Sequence, residues 1–416
     1  MQIITDLHLH SRFSRACSKS IDIPLLEQKA KIKGATLLGT GDFTHPLWLR
    51  ELKQNLTEED SIGILKTKTS FPFILTTEIS LMYTQENKGR KIHLVILAPD
   101  FETVDQINEM LLRHGRLDYD GRPIFGMTSP ALVEKLKSIN QKIEIIPAHI
   151  WTPWFGMFGS KSGFNSIKEC FQDQANHIFA IETGLSSTPD MNWRIKDLDN
   201  KAILSFSDAH SASSWRLARE ATIFNLNNLT YPAIIQAMKN KDPSTFTSTI
   251  EYYCEQGKYH YDGHRNCKVR LTPAESRKHG NMCPVCSNKL TIGVLNRVEE
   301  LAERPEGFTP PNAIPFKRLI PLSEIIAGVL NTTPYTKKTN EIHEKLIAEF
   351  KTEFNILLNT PEEQLNTIVE PTITKWILKN RNQEIRFLPG YDGEYGIPLL
   401  NEKQEQQLGQ KSLSEF

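Results

Sequence analysis

The sequence predicts an α/β barrel with its chemistry at the C-terminal ends of the strands. Three observations carry this: short apolar runs alternate with helix-like segments, seven such runs fill the first half of the chain, and acidic or imidazole side chains collect at their ends. The first run leads into Asp6-Leu-His8-Leu-His10-Ser, where two residues of extended chain turn both imidazoles to one side. TLLGTGDFTH then ends in Asp42 and His45, FPFILTTE in Glu78, and KIHLVIL carries His93. KIEIIPAH ends in His149, HIFAIETG carries Glu182, and AILSFSDAH ends in Asp208 and His210. Alternation with helices favours parallel pairing, and a closed barrel gathers strand-end residues at one face. The alternative, an open doubly wound sheet, lacks the GxGxxG turn that would support it.

Between the runs, Ile23–Gly34 has a helix pattern stopped by Gly34, Ser129-Pro130 opens a capped helix, and Thr230–Asn240 forms another. Composition shifts at Lys241-Asp-Pro-Ser-Thr, so the barrel is expected to span residues 1–240. Residues 250–300 hold Cys254, Cys267, Cys283 and Cys286, read as a small four-cysteine zinc-binding module closed by the Cys283-Pro-Val-Cys286 knuckle. The upstream pair is spaced unlike a zinc ribbon, and His260 or His264 is the alternative to one cysteine. A proline-punctuated linker leads into a mainly helical region over 301–400, and residues 401–416 form a polar tail expected to be disordered.

Composition narrows the class. The 416 residues carry 49 basic and 49 acidic side chains, so the whole molecule is not an electrostatic adhesive for nucleic acid. No apolar run approaches membrane-spanning length, and no signal-like segment follows Met1, which points to a cytoplasmic protein without membrane contact. Six cysteines, four of them clustered, suggest metal binding rather than a disulfide framework.

His8, His10, His93, His149 and His210 are five of the twelve histidines and all lie in or at the end of apolar runs. With Glu78, Asp208 and either Asp42 or His45, they form the donor set of a multinuclear centre for Zn, Mn, Fe or Mg. Such a centre polarises phosphoryl oxygens and supplies hydroxide near neutral pH, so hydrolysis is the first functional reading. Three features bear on a nucleic-acid substrate. Between Glu255 and Arg297 stand eight basic against three acidic residues, Arg270 and Lys278 among them. Trp151, Trp154, Phe155 and Phe158 crowd the segment after His149, either as a stacking loop or as a lid packed on the barrel mouth. The loop Gly390–Gly396 adds Tyr391, Asp392 and Tyr395 as pocket candidates, or is simply a tight turn.

DLHLHS, TGD, TEIS, KIHLV, PAHIW and SDAH, in that order, resemble the motifs of the PHP (polymerase and histidinol phosphatase) family. The resemblance implies a distorted (β/α)7 barrel with a di- or trinuclear metal centre and phosphoesterase activity. It implies His8, His10, Glu78, His93, His149, Asp208 and His210 as ligands, with Asp42 where the family usually has a histidine. Ser14-Arg15 stand where a further ligand often occurs, so two ions are expected rather than three. The order of barrel, cysteine segment and helical region ending in FLPGYDGEYG resembles the endonuclease Q family over about residues 1–400. That resemblance implies a nucleoid-associated repair enzyme nicking DNA 5′ to uracil, hypoxanthine, xanthine or an abasic site, with region 301–400 binding DNA; a monomer is expected. His8, His10, Glu78, His149 and Asp208 would be its catalytic residues. Gln410, Leu413 and Phe416 resemble the spacing of peptides that dock on DNA sliding clamps. The competing readings are a PHP small-molecule phosphatase and a non-catalytic DNA- or clamp-binding scaffold.

Overall fold

The computed structural model describes residues 1–59 and 62–401. The expected clamp peptide at Gln410, Leu413 and Phe416 lies outside the described residues.

Strand Gln2–Asp6 pairs in parallel with Leu37–Gly39, which pairs in parallel with Pro72–Gln85. Helix Ile23–Lys33 makes the first crossover. Asp22 caps it by accepting the Leu25 N–H, Pro24 sits in its first turn, and Gly34 ends it at φ 97°. Thr128 and Thr230 cap Ser129–Ile139 and Tyr231–Asn240 in the same way.

One strand of the barrel runs against the others. Pro72–Gln85 doubles back as a hairpin with Lys88–Ala98, paired from Leu75↔Ala98 to Gln85↔Lys88. Glu86 and Asn87 alone turn the chain, at φ 52° and 59°, which is the left-handed pair a two-residue hairpin requires. No helix fits between the runs that carry Glu78 and His93. The register sets Glu78 opposite Val95 and His93 opposite Ser80, so the two ligand candidates are diagonal neighbours on one face.

Lys88–Ala98 continues antiparallel to Glu144–Pro147. From there single backbone hydrogen bonds carry the ring. Ile150 N–H reaches Glu182 O at 3.2 Å, Ala180–Glu182 runs parallel to Ala202–Leu204, and His10 N–H returns to Ala209 O at 2.9 Å. The result is a distorted α/β barrel whose interior is filled by Leu37, Ile74, Val95, Ile146, Leu204 and Phe206.

The sheet also spreads outward. Gln2–Asp6 pairs on its other edge with Ala221–Asn225, followed by Phe246–Glu251 and Phe316–Arg318. Beyond lie the helices Leu322–Val329, Lys337–Phe350, Glu353–Leu358 and Pro371–Arg381, packed around Ile325, Leu346, Ile356 and Trp376. A buried Lys33–Glu353 ion pair of 2.6 Å fastens them to the first barrel helix. Among the described residues no helix is long and apolar enough to cross a membrane.

Candidate metal centre

The strand ends bring two donor groups together around one carboxylate. His10 Nε2 lies 3.1 Å from Glu78 Oε2 and 3.2 Å from Asp208 Oδ1, and His8 Nε2 lies 3.5 and 3.6 Å from the same oxygens. The second oxygen of Glu78, Oε1, lies 2.6 Å from His93 Nδ1 and 3.2 Å from His149 Nε2. Within each group the donor atoms are no more than 4.8 Å apart. Glu78 thus faces both groups and would supply an oxygen to a divalent ion held in either. His8 Nε2, His10 Nε2 and Asp208 Oδ1 are buried yet make no hydrogen bond, although buried polar atoms normally find a partner. Aimed at common points, these atoms fit divalent cations. The backbone is also strained here: His149 and Asp208 sit at φ 31° and 47° without being glycine. Gly184, at φ 52°, lets its loop pass where a Cβ would lie 2.4 Å from His149 Cβ.

Electrostatics support the same reading. Burial pushes Glu78 and Asp208 towards neutrality, but neighbouring imidazoles and, for Glu78, a guanidinium reverse this and hold both well below the usual carboxylate range. For Glu78 these are His93, Arg122 and His8; for Asp208, His8, His10 and His210. Burial likewise opposes charge on His8, yet Glu182, Glu78 and Asp208 raise it well above its ordinary value. His93, where burial wins, falls to about 4. Packing so many carboxylates around neutral-capable imidazoles creates a demand for positive charge that divalent ions meet.

A second layer holds the imidazoles. Both oxygens of Glu182 accept from His8 Nδ1, at 2.9 and 3.0 Å. Asp42 Oδ1 accepts from His10 Nδ1 at 2.9 Å, and Thr152 Oγ1 lies 3.0 Å from His149 Nδ1. Such partners fix the tautomer and aim Nε2 at the metal side. The sequence places Asp42 among the ligands, and the structure corrects this. Its other oxygen is taken by Ser11 N–H at 2.6 Å, Ser11 Oγ at 2.7 Å and Ser14 Oγ at 2.8 Å, so it orients His10 from behind. Gly121 makes room, because a Cβ there would come within 2.2 Å of Asp42 Oδ2. His45 stacks on Phe13 at 4.4 Å, away from both groups. His210 also lies outside them: its ring packs 4.6 Å from His10, and Nδ1 donates to the Asp208 carbonyl at 2.9 Å.

A second donor set forms from His264, Cys267, Cys283 and Cys286, with Cys286 Sγ 3.3 Å from His264 Nδ1. Three thiols and one imidazole suit a closed tetrahedral zinc site. Cys254, expected as the fourth thiol, is buried elsewhere, its Sγ 3.8 Å from Met191 Sδ. The short strand Asp262–His264 delivers the histidine instead.

The aromatic segment after His149 divides by burial. Trp151 and Phe158, expected to touch substrate, are fully buried, and Trp151 Nε1 donates to Asn192 Oδ1 at 2.8 Å, so both are packing residues. Phe155 packs tilted against His93 at 4.3 Å, and Trp154, 39% exposed, meets Tyr259 edge-on at 5.4 Å. Trp154 and Phe155 join His149, Asp208, His210 and Tyr395 around a cleft of about 420 Å³. Tyr395 presents its face to Lys258 Nζ at 4.5 Å. Asp392 is committed to the Arg265 N–H at 2.6 Å, so it anchors its loop rather than facing the cleft. Tyr391 and Arg270 likewise tie that loop to the cysteine module, with Arg270 Nη1 donating to Pro389 O at 3.2 Å. Lys278 is exposed at the end of helix Pro273–Lys278. Sequence reasoning missed Arg122, which lines the cleft and donates to Glu78 Oε2 at 3.0 Å. It stands in a loop with no motif around it. Glu182 had a signal, its strand-end position, but no assigned role.

With this geometry in place, comparisons with known proteins are informative. The MJ0043 C-terminal domain family matches residues 321–384, within the helical region. The crystal structure of the lesion-specific endonuclease PfuEndoQ from Pyrococcus furiosus is similar at a TM-score of 0.86 and 29% identity, covering 98% of this chain and 97% of that one. A structure of Endonuclease Q with a 27-mer duplex bearing an abasic lesion at its active site is similar at 0.85 and 29% identity, covering 97% and 98%. The uncharacterized protein MJ0043 of Methanocaldococcus jannaschii is 31% identical over 255 residues, 59% of this chain. The chain spans 31% of that relative's length.

Proposed function

We propose that this chain, built on the endonuclease Q plan along almost its whole length, is a metal-dependent DNA repair endonuclease. It hydrolyses the phosphodiester 5′ to a deaminated base (uracil, hypoxanthine or xanthine) or an abasic site. The observation that carries the reading is Glu78, facing two imidazole-rich donor groups whose His93, His149 and Asp208 line an aromatic-walled cleft.

Divalent ions bound there would polarise the scissile phosphoryl group and lower the pKa of a water. The protein's own part is placement. Arg122, paired to Glu78 and 26% exposed at its side chain, presents remaining guanidinium donors to a phosphate entering the cleft. His210 has Nδ1 committed to Asp208 O, which leaves Nε2 as the ring atom able to exchange a proton with a leaving oxygen. Phe155, packed against His93, limits water access to the second donor group. Reading one base in a duplex requires extrusion from the stack, and Trp154, Tyr259 and Tyr395 offer the aromatic surfaces to receive it. The basic module around the four-donor set would grip flanking phosphates.

The deciding experiment is a cleavage panel: duplexes with uracil, hypoxanthine, xanthine or an abasic site, an undamaged duplex, and p-nitrophenyl phosphate. Nicking confined to the lesion strands on the 5′ side is expected. Faster turnover of the small phosphomonoester than of any lesion duplex contradicts the reading.

A further inference from the structure

The module with the four-donor set does more than sit beside the cleft, because one buried arginine runs from its helix into the loop that follows His149. Helix Val294–Leu301 is rooted in the module: Gly293 N–H and Asn296 Nδ2 both donate to Asp262 at 2.6 Å, and Asp262 begins the strand that ends in His264. From the same helix Arg297, 7% exposed, crosses to the loop. Its Nε donates to Phe158 O at 3.1 Å, and its Nη2 donates to Phe164 O at 3.1 Å and Asn165 Oδ1 at 2.7 Å. Glu300 neutralises the guanidinium from within the helix, 2.9 Å from Nη1.

The loop so held is wired to the candidate ligands. Phe158 N–H bonds Ile150 O at 2.7 Å, next to His149, and Phe155 O accepts the His93 N–H at 2.9 Å. A carbonyl buried with Arg297 removed would lose its donor, and this penalty enforces the loop's position. The left-handed φ of 66° at Phe155 shows a backbone that is held rather than relaxed.

We propose that Arg297 is a positioning residue through which the four-donor module sets the geometry of the loop between His149 and Asn165, and with it the rate of the chemical step. The module is then a strut for the metal centre as well as a surface for DNA. This rests on the nuclease reading above for its kinetic consequence, but its structural consequence stands without it.

The test uses the full chain with Arg297→Met, Arg297→Lys and, to open the four-donor set, Cys286→Ser. Hydrogen exchange of the amides in 151–165 is measured against those of helix Ile23–Lys33 as an internal reference. Single-turnover cleavage of an abasic-site duplex is measured beside its Kd. Faster exchange confined to the loop is expected in both Arg297→Met and Cys286→Ser. The cleavage rate constant should fall on the order of 10-fold or more, since small misplacements near the chemistry cost up to 10²-fold. In Arg297→Met, Kd should change less than about 3-fold, and Arg297→Lys, which can still reach one carbonyl, should recover part of both effects. Unchanged loop exchange in Arg297→Met overturns the proposal, as does a loss that lies wholly in Kd. Loop-confined exchange in a protein that cleaves no lesion duplex upholds the strut and refutes the nuclease reading instead.

Discussion

Replacing Glu353 by Gln removes the negative member of a buried ion pair that fastens the C-terminal helices to helix Ile23–Lys33. Glu353 Oε1 lies 2.6 Å from Lys33 Nζ and accepts the Leu322 N–H at 3.0 Å, while His343 Nε2 lies 3.4 Å from Oε2. Burial alone would raise its pKa, but Lys33 and His343 outweigh burial and bring it from 4.5 down to about 2. That gap of roughly 2.5 units corresponds to about 3 kcal/mol of folding free energy. Because the folded value is depressed, the unfolded chain takes up the proton first as pH falls. The contribution is therefore complete above about pH 5 and is lost as pH drops from about 4.5 towards 2. The substitution also leaves the Lys33 ammonium buried without a counter-charge, and breaking a buried pair from one side costs about 3–5 kcal/mol. Urea unfolding at pH 7, 5 and 3, followed by tryptophan fluorescence with Trp376 in the helical core, reads both effects. Glu353→Gln should unfold at clearly lower urea at pH 7, with the gap to the parent narrowing by pH 3. Equal midpoints at pH 7, or a gap that stays constant down to pH 3, refute the reasoning.

Glu182→Gln should weaken metal retention and slow nicking by about 10–100-fold without unfolding the barrel, because the His8 orientation is set by that carboxylate; unchanged metal content after dialysis would contradict this. Trp151→Ala should cost about 3–5 kcal/mol in denaturant unfolding, whereas Trp154→Ala should leave stability nearly unchanged and raise KM for lesion duplexes. The reverse ranking would mean the cleft wall has been misassigned. Deleting residues 410–416 should abolish retention on an immobilised sliding clamp while free oligonucleotides are still cut at the parent rate; retained binding sinks the clamp peptide.

Much of the site was legible because its chemistry is carried by side-chain type at a recurring place, the end of an apolar run. His8, His10, Glu78, His93, His149 and Asp208 could be read that way. Position alone does not separate a ligand from the carboxylate standing behind it, since both occupy strand ends. Asp42 and Glu182 became distinguishable only when His10 and His8 were seen to donate Nδ1 to them. Arg122 left no periodic or motif signal, because it reaches Glu78 from an irregular loop. In the cysteine module, the clustering of four cysteines suggested four thiols while their spacing left His260 or His264 open; strand Asp262–His264 delivers His264, and Cys254 faces Met191. The composition of the aromatic segment marked it as special without revealing which rings the loop folds inward. The barrel was visible in the alternation of strands and helices. The hairpin at Glu86-Asn87 was not, because both of its strands are apolar enough to pass as separate parallel members.

The central claim is that the donor groups around Glu78 hold divalent ions that make this chain cut DNA at lesions. Metal analysis of the purified protein, paired with nicking of an abasic-site duplex by the parent, His8→Ala and Asp208→Ala, tests it most directly. The account predicts two barrel ions in addition to one zinc, with barrel metal and nicking lost together in both variants while the zinc stays. Lesion-strand nicking that persists in a folded Asp208→Ala protein depleted of barrel metal would contradict it.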